Sequence, residues 1–412
     1  MLKPLPTASS HASTAPAADN ACEGSGRVHA RQRGRRGAAA FRAQAVSASS
    51  LRQRIQGLAQ APGGALCTVF QDAQWLEDWH ETLGRQPGLW PVTMAVSDAA
   101  SGRDLLLLPL VAQRSGGVTL LRAPDQGVAD YHWPIVARQV PFDDDTRPAL
   151  WAVLKQALAR QGDLLRLGKM LPALDNQTNP LLGPLPSWPS ESIGHHFEMP
   201  DGHAAWLATL SRQSRREFAR HWRLFQAAPD ARFERITRVD EGLALLAELE
   251  RLQAQRLGAQ SGYRLGEAPY QQFYARRLRS GLAQGDVVMT ALRAGTETVA
   301  VAYGLRRGTE LTLVRVAFGD PRWKPCAPGV LLMERTAEAL SHDGVKRVDL
   351  SIGSYGYKRS FGCSLRPLRE SCVALTWRGS ALATAWQTRQ RLASFTGARE
   401  NAAPCREPNS NY

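Results

Sequence analysis

The chain has 412 residues, 43% hydrophobic and 21% charged, which suffices for two globular domains that each have a core. The longest apolar run, residues 105–112, is far below the ~18 residues that a membrane-spanning helix needs, so no transmembrane segment is predicted. The six cysteines form no C-x-x-C pair and no zinc or disulfide pattern. We therefore expect a cytoplasmic protein without a metal.

Part of the net charge of +14 lies in the first fifty residues, where arginines are scattered among Ala, Gly and Ser. A segment of this composition cannot build a core, so residues 1–62 are predicted to be a disordered basic segment. It has no apolar stretch like that of a secretory signal. A transit peptide, a start codon placed too early and a nucleic-acid-binding tail remain open as interpretations.

Residues 63–200 predict a compact α/β half that begins near Leu66. Hydrophobic periodicity indicates helices over 70–79 and 147–161. The expected strands, of which the first two form a hairpin, are 92–96, 104–113, 118–122 and 163–167. A polar and aromatic turn lies between the third and fourth strands, Asp130-Tyr131-His132-Trp133-Pro134.

Residues 201–380 are predicted to form a second half, and residues 381–412 a final helix with a loose tail. The first helix of the second half, expected over 204–227, carries apolar residues on one face and an arginine ridge on the other: Arg212, Arg216, Arg220 and Arg223. This ridge is either a solvated face or an attraction for a polyanionic ligand. A strand, two helices and a three-strand antiparallel meander follow, over 232–238, 241–257, 269–283, 287–293, 298–307 and 311–318.

Residues 320–362 have the pattern of a phosphate-binding crevice. A proline-rich turn ends at Pro328-Gly329 and leads into a helix, which is followed by a strand over 346–350 and a glycine turn over 352–356. The first amides of a helix have no partner inside it and point outward with the positive end of its dipole. The pattern therefore indicates an anion site, although an ordinary Pro-Gly helix start looks the same.

The order of elements in the second half is that of the GNAT acyltransferase fold. The sequence also resembles the CelD-type acetyltransferases, a GNAT branch related to the FemAB peptidyltransferases. The matching phrases span about residues 66–378: F-x-x-x-x-W-L-x-x-W over 70–79, Leu107-Leu108-Pro109-Leu110, Asp130-Tyr131-x-x-Pro134, Arg215-Arg216, Arg256, Pro328-Gly329-x-Leu331-Leu332, Asp349-Leu350 and Gly353-x-x-x-Tyr357-Lys358. One departure is Ser351, which stands where the family's D-L-G-x-G has its first glycine.

The resemblance implies an α/β protein with mixed sheets, built from two tandem GNAT-like halves, of which the second mainly binds the acyl donor. The implied donor substrate is acetyl-CoA or another acyl-CoA, with its pyrophosphate at Pro328, Gly329, Val330 and Leu331. The implied activity is N-acyl transfer by direct attack of an amine in a ternary complex. Candidate acceptors are small molecules or glycans, such as an amino sugar or another cell-envelope or exopolysaccharide precursor.

Transfer from a thioester to an amine requires a base for the amine proton and a donor for the carbonyl oxygen. Asp349, at a strand end, and Asp130, in the first half, are candidate bases, and Tyr357 is the candidate acid. Asp349 could instead hold the following turn, and Tyr357 could be a packed aromatic. The sequence does not decide which residue is the base.

The remaining site residues are candidates for substrate binding. Lys358 is expected to bind a charged substrate group or a donor phosphate, although a surface lysine would look the same. The first half contributes Tyr131 and His132, and the end of a helix contributes Arg256.

Two alternatives to an acyl-CoA-dependent enzyme remain open. The first is a FemAB-like aminoacyl transferase that uses charged tRNA, which the basic composition and the arginine ridge allow. The second is a catalytically inactive GNAT-like module that binds an anionic polymer or a partner in polysaccharide biosynthesis.

Overall fold

A computed structural model describes residues 40–140, 142–257, 264–353 and 355–400. The helices are α1 Ala48–Gln60, α2 Ala73–Glu81, α3 Thr146–Leu158, α4 His203–Thr209, α5 Arg212–Gln226, α6 Val239–Leu257, α7 Ala268–Gly281, α8 Pro328–Ser341 and α9 Trp377–Glu400. The strands are β1 Phe41–Val46, β2 Ala65–Leu66, β3 Leu89–Asp98, β4 Asp104–Ser115, β5 Val118–Arg122, β6 Ile135–Ala137, β7 Leu164–Met170, β8 Ala173–Leu174, β9 Gln177–Thr178, β10 Ser187–Glu198, β11 Ala231–Ile236, β12 Val287–Ala294, β13 Glu297–Arg307, β14 Glu310–Phe318, β15 Arg347–Ile352 and β16 Ser364–Ala374. Two 3-10 helices, Pro321–Cys326 and Gly356–Phe361, precede α8 and follow β15.

The two halves share one plan. In the first, β3, β4 and β5 form an antiparallel meander, and α3 leads to β7, which pairs with β5 in parallel. In the second, β12, β13 and β14 form the meander, and α8 leads to β15, which pairs with β14 in parallel. The predicted mixed α/β halves are therefore confirmed.

The halves are joined into one sheet by an exchange of strands. β7 of the first half pairs with β16 of the second, β15 of the second pairs with β10 of the first, and β10 also pairs with β16. The main path through the sheet is β1-β3-β4-β5-β7-β16-β10-β15-β14-β13-β12-β11. A boundary near residue 200 would thus separate β10 from both of its partners, and the ends of β7 and β15 lie near the middle of the sheet.

The prediction that residues 1–62 are disordered is wrong from residue 40 onward. β1 pairs with β3, and α1 buries Leu51, Ile55 and Leu58 at helical spacing. The basic and alanine-rich composition did not indicate a helix here. Three apolar residues stabilise a helix of this length only when it packs on a sheet, which the sequence does not show. Residues 1–39 and 401–412 lie outside the described residues, but the tail predicted to be loose from Gly397 is helical to Glu400.

The helix predicted over 204–227 is two helices, α4 and α5. The break comes at Leu210, which is extended, and the side chain of Ser211 accepts a hydrogen bond from the Ser214 amide to begin α5. The sequence also missed β10, because its start, Ser187-Trp188-Pro189-Ser190, carries no alternating apolar pattern. Hydrogen bonds to β15 and β16, rather than local preference, hold this strand.

The buried side chains form two main clusters. The larger lies under the first half and extends to α6 and α7, and the other surrounds α8 and includes Trp206, Phe218, Phe225 and Phe361. Each fully buried side chain of this size contributes roughly 1.5–3 kcal/mol. No helix among the described residues is both long enough and apolar enough to cross a bilayer.

Candidate active site

Four predicted site residues meet where the two halves join. The Tyr131 hydroxyl, from the first half, donates to Asp349 Oδ1 on β15 at 2.8 Å. Asp130 accepts a hydrogen bond from the Ser351 hydroxyl across the same joint, and Lys358 donates to the backbone at the end of β15. Together with Ser351 and with Arg366, which contacts Asp349, these four residues form what we call the central cluster: Asp130, Tyr131, Asp349, Ser351, Lys358 and Arg366.

Asp349 is completely buried and surrounded by donors. Besides the Tyr131 bond, its Oδ1 accepts from the Ser351 amide at 2.6 Å, and Arg366 Nη1 lies 2.7 Å from Oδ2. Burial raises the pKa of the Asp349 carboxyl to about 7, although the charge of Arg366 opposes the rise. A carboxyl with this pKa can both take up and release a proton near neutral pH, as a general base must.

Arg366 belongs to this cluster, although no motif or spacing in the sequence marks it as a site residue. It lies on β16, contacts Glu310 Oε1 at 3.1 Å, and its guanidinium lies over the Tyr131 ring at 5.3 Å. Burial by itself would lower the pKa of Arg366, but Asp349 and Glu310 together raise it. Arg366 therefore stays charged and fixes the position of both Asp349 and Tyr131.

Ser351 connects the two halves in a strained conformation. Its φ of 65° lies in the left-handed region, where the resemblance placed a glycine. In this conformation its amide reaches Asp349, its hydroxyl reaches Asp130, and its carbonyl accepts from Lys358. Burial raises the pKa of Asp130, against the influence of the Ser351 hydroxyl.

Lys358 is buried rather than exposed, with 2% of its surface accessible. Its Nζ donates to the carbonyls of Ser351 at 2.9 Å and Ile352 at 3.1 Å. Burial lowers the pKa of Lys358 to about 8, although Asp349 opposes the change. An ammonium has three donors, so one remains after these two bonds.

The side chain of His132 bonds within the first half, and Tyr357 makes a ring contact beside the central cluster. His132 Nε2 lies 3.4 Å from Asp125 Oδ2 in the first half, beside the Lys169 ammonium at 2.9 Å from the same oxygen. Tyr357 stacks on Tyr355 with ring centroids 5.9 Å apart, and it packs against the cluster around α8. Tyr131, predicted only as a substrate contact, is the tyrosine that bonds the candidate base.

Gly194 on β10 makes room for the Tyr131 hydroxyl. A Cβ at this position would lie 2.4 Å from that oxygen. This requirement is not visible in the sequence, because it arises only from the pairing of β10 with β15, in which Gly194 lies opposite Ile352.

The start of α8 presents free amides, as predicted, but fewer than predicted. Pro328 is its first residue, and no side chain caps it. The Leu331 amide already donates to Ala327 O at 3.0 Å, so the predicted role for this amide is wrong. The Gly329 and Val330 amides have no acceptor among the described residues.

Two residues shape the surroundings of these amides. A Cβ on Gly329 would lie 3.0 Å from the Phe318 ring, so glycine lets α8 pack closely on β14. The Arg256 guanidinium lies over that same ring at 4.7 Å. A positive charge thus lies close to the helix start, which favours an anion there.

An open cleft of about 720 Å³ lies elsewhere, between α6 and the β12–β13 hairpin. Its charged walls are internally paired, Arg251 with Glu248 and Arg293 with Glu234. It contains no residue of the central cluster. No arrangement of His, Cys, Asp and Glu suited to a metal occurs within the described ranges.

Comparisons with known proteins agree with this geometry. The family described as acetyltransferase (GNAT) domain matches residues 212–359, which include α8, Asp349 and Lys358. Over these residues the chain is similar to a GNAT acetyltransferase domain. No curated protein sequence matches the chain.

Solved structures align with this chain over most of its length. The crystal structure of FemX is similar over 79% of this chain and 96% of its own length, with a TM-score of 0.56 and 11% identity. A tandem GNAT protein from the clavulanic acid biosynthesis pathway aligns over 82% of this chain and 99% of its own, with a TM-score of 0.45 and 13% identity. At such identities the likeness concerns the fold alone. The predicted fold class is confirmed by the mixed sheet of the structure and by the GNAT family match over residues 212–359.

Proposed function

We propose that the protein is an acyl-CoA-dependent N-acyltransferase that transfers an acyl group directly to an amine. The observation that carries this proposal is the Tyr131–Asp349 hydrogen bond between the halves, in a GNAT domain whose helix α8 begins with free amides. Asp349, within β15, is a buried candidate base with a pKa of about 7. The amides supply a place for a diphosphate.

Donor binding is assigned to the start of α8. The Gly329 and Val330 amides would hold the pyrophosphate, since they point along the helix dipole and have no other acceptor in the described chain. Arg256, over the neighbouring Phe318 ring, would add a positive charge. Arg256 was predicted as a substrate contact, and its position favours the donor.

The corresponding helix of the first half is unsuited to a phosphate. α3 also follows a meander and leads to a parallel strand, but Asp143 accepts from the Thr146 amide at 2.8 Å, and Asp144 and Asp145 follow directly. Carboxylates thus occupy the place where an anion would bind, and they would repel it. This asymmetry supports one donor site per chain, in the second half.

The chemistry is assigned to the central cluster. Asp349 takes the proton of the attacking amine, directly or through the Tyr131 hydroxyl, and Arg366 holds both groups in position. The remaining N–H of Lys358 stabilises the negative charge that develops on the carbonyl oxygen. The thiolate can leave without assistance, and Tyr357 remains the candidate that would protonate it.

One observation favours a second candidate, aminoacyl transfer from charged tRNA. The arginines of the ridge on α5 are exposed, and in the described part of the chain none of the four pairs with a carboxylate. Such a surface attracts nucleic acid in a salt-dependent manner. Binding of tRNA without binding of acetyl-CoA would favour this candidate.

The proposal is tested by calorimetry with acetyl-CoA on three proteins. The wild type should bind, and Gly329→Asp should not, because its carboxylate would repel the diphosphate. Gly329→Ala is the matched control, since it adds the same Cβ next to Phe318 without a charge. Equal acetyl-CoA affinity in Gly329→Asp and Gly329→Ala would exclude the donor site. If the wild type binds acetyl-CoA, measuring thiol release with a panel of amines identifies the acceptor.

A further inference from the structure

A second group of buried polar side chains lies on the face of β13 and β14 that α6 and α7 cover. Tyr303 on β13 and Arg315 on β14 are directly opposite each other in the sheet. α6 places Gln253 and Glu250 beside Arg315, and α7 places the Tyr274 ring 4.4 Å from the Arg315 guanidinium. These five residues form what we call the side subsite.

Three polar atoms of the side subsite lack hydrogen-bond partners among the described residues. Arg315 uses Nε and Nη2 to donate to Gln253 Oε1, at 3.0 and 2.6 Å, but its Nη1 has no acceptor. Glu250 Oε1 forms an ion pair with that Nη1 at 3.7 Å, which is too long for a hydrogen bond, and the Tyr303 hydroxyl has no hydrogen-bond partner among the described residues. Because buried polar groups are nearly always hydrogen-bonded, a stretched ion pair beside a hydroxyl without a partner indicates a place where a polar ligand would complete the missing hydrogen bonds.

A β-bulge turns Arg315 toward this face. Tyr303 pairs with Arg315, but the next residue, Gly304, pairs with Leu313, so Val314 is an extra residue on β14. Leu313 packs in the cluster around α8. In a regular strand without a bulge, residues two apart lie on the same face, so Arg315 would point to the same side as Leu313.

The side subsite adjoins the central cluster. β14 and β15 pair in parallel only as far as Thr312 and Asp349. Arg315 follows three residues later, about 10 Å along the strand, where β14 has no neighbour on the β15 side. Tyr274 is close to the first half as well, since the charge of Asp130 adds to the effect of burial in raising the pKa of Tyr274.

We propose that Arg315, Glu250 and Tyr303 bind hydroxyl groups of the acceptor, and that the acceptor is a polyhydroxylated amine, that is, an amino sugar. Arg315 Nη1 can donate a hydrogen bond, Glu250 Oε1 can accept one, and the Tyr303 hydroxyl can do either. Together they can bind neighbouring hydroxyl groups of one ligand, because each hydroxyl group also donates and accepts. Arg315 and Glu250 balance each other in charge. Glu250 would repel the carboxylate of an amino acid substrate, and Arg315 would repel the second ammonium of a diamine.

This inference depends on the proposed N-acyltransferase function, and binding experiments separate the two. The protein is first saturated with coenzyme A, and glucosamine, galactosamine, cyclohexylamine and β-alanine are then titrated by calorimetry. We expect an amino sugar to bind at least about tenfold more tightly than the amine without hydroxyls or the amino acid. Failure to bind coenzyme A at all would reject the proposed function.

Tyr303→Phe is the decisive variant, because it removes only an unpaired hydroxyl. A purely structural tyrosine would lose nothing, whereas we expect amino-sugar affinity to fall about tenfold with an unchanged or higher thermal midpoint. Tyr270→Phe is the control: its hydroxyl donates to Gln126 O at 2.9 Å, so its loss should lower the midpoint and leave sugar affinity unchanged.

Glu250→Gln tests the argument from charge. It keeps the shape of the side chain and removes the carboxylate that faces Arg315, so β-alanine should gain affinity relative to the amino sugars. The inference is overturned if coenzyme A binds but no amino sugar is preferred. It is also overturned if Tyr303→Phe binds the preferred sugar as well as the wild type does.

Discussion

Replacing Asp349 by asparagine should remove a pH dependence of stability that burial of this carboxyl creates. Its pKa rises from 3.8 to about 7 in the folded protein. Three pKa units correspond to about 4 kcal/mol at roughly 1.4 kcal/mol per unit. Between these two values the folded state keeps a proton that the unfolded chain has released, so the free energy of unfolding falls as the pH rises. The full contribution is present below pH 4 and is lost above pH 7.

The assay is urea unfolding of the wild type and Asp349→Asn at pH 5, 6, 7 and 8. Over pH 5 to 7 the wild type should lose about 2–3 kcal/mol that the variant does not lose. Asp143→Asn is the control, because this exposed carboxyl has a lowered pKa and stays ionised throughout that range. Its curve should run parallel to that of the wild type.

The same substitution tests catalysis. The wild-type kcat/KM should rise with pH through an apparent pKa near 7, and Asp349→Asn should lose at least about a hundredfold in kcat. Parallel stability curves for the wild type and Asp349→Asn would refute the raised pKa. A variant with normal kcat would refute the assignment of Asp349 as the base.

The other predictions concern the neighbours of Asp349. Lys358→Ala should lower kcat by about a hundredfold or more while unfolding free energy changes less, because one ammonium donor is reserved for the reaction; comparable thiol release would leave Lys358 a purely structural role. Ser351→Gly should be about 1 kcal/mol more stable than Ser351→Ala in urea unfolding, since both lose the hydroxyl but only alanine keeps the left-handed strain; equal stabilities would contradict that strain. Gly194→Ala should displace Tyr131 and cost about 1–3 kcal/mol, and a crystal structure with the 2.8 Å bond to Asp349 intact would disprove this.

A site residue could be predicted from the sequence only where its role depends on neighbours a few positions away in the chain. Pro328-Gly329 marks the start of a helix because its constraints are local, and the structure places α8 there. Arg366 could not be predicted, because its role depends on β16 lying near β15 across β10. His132 matched a family phrase, but its contacts with Asp125 and Lys169 hold it within the first half.

The sequence by itself determined the helices and meanders of two α/β halves, because hydrophobic periodicity and turn residues act over a few positions. It also indicated the strand that carries Asp349 and the glycine at 329, although this strand continues past Asp349 to Ile352. Only the tertiary structure decided that β10 and β16 cross between the halves, that residues 40–60 complete the first half, and that Tyr131 bonds Asp349. The physical reason is that a pKa, a free amide or a strained φ depends on what lies beside it in space, and those neighbours come from distant parts of the chain.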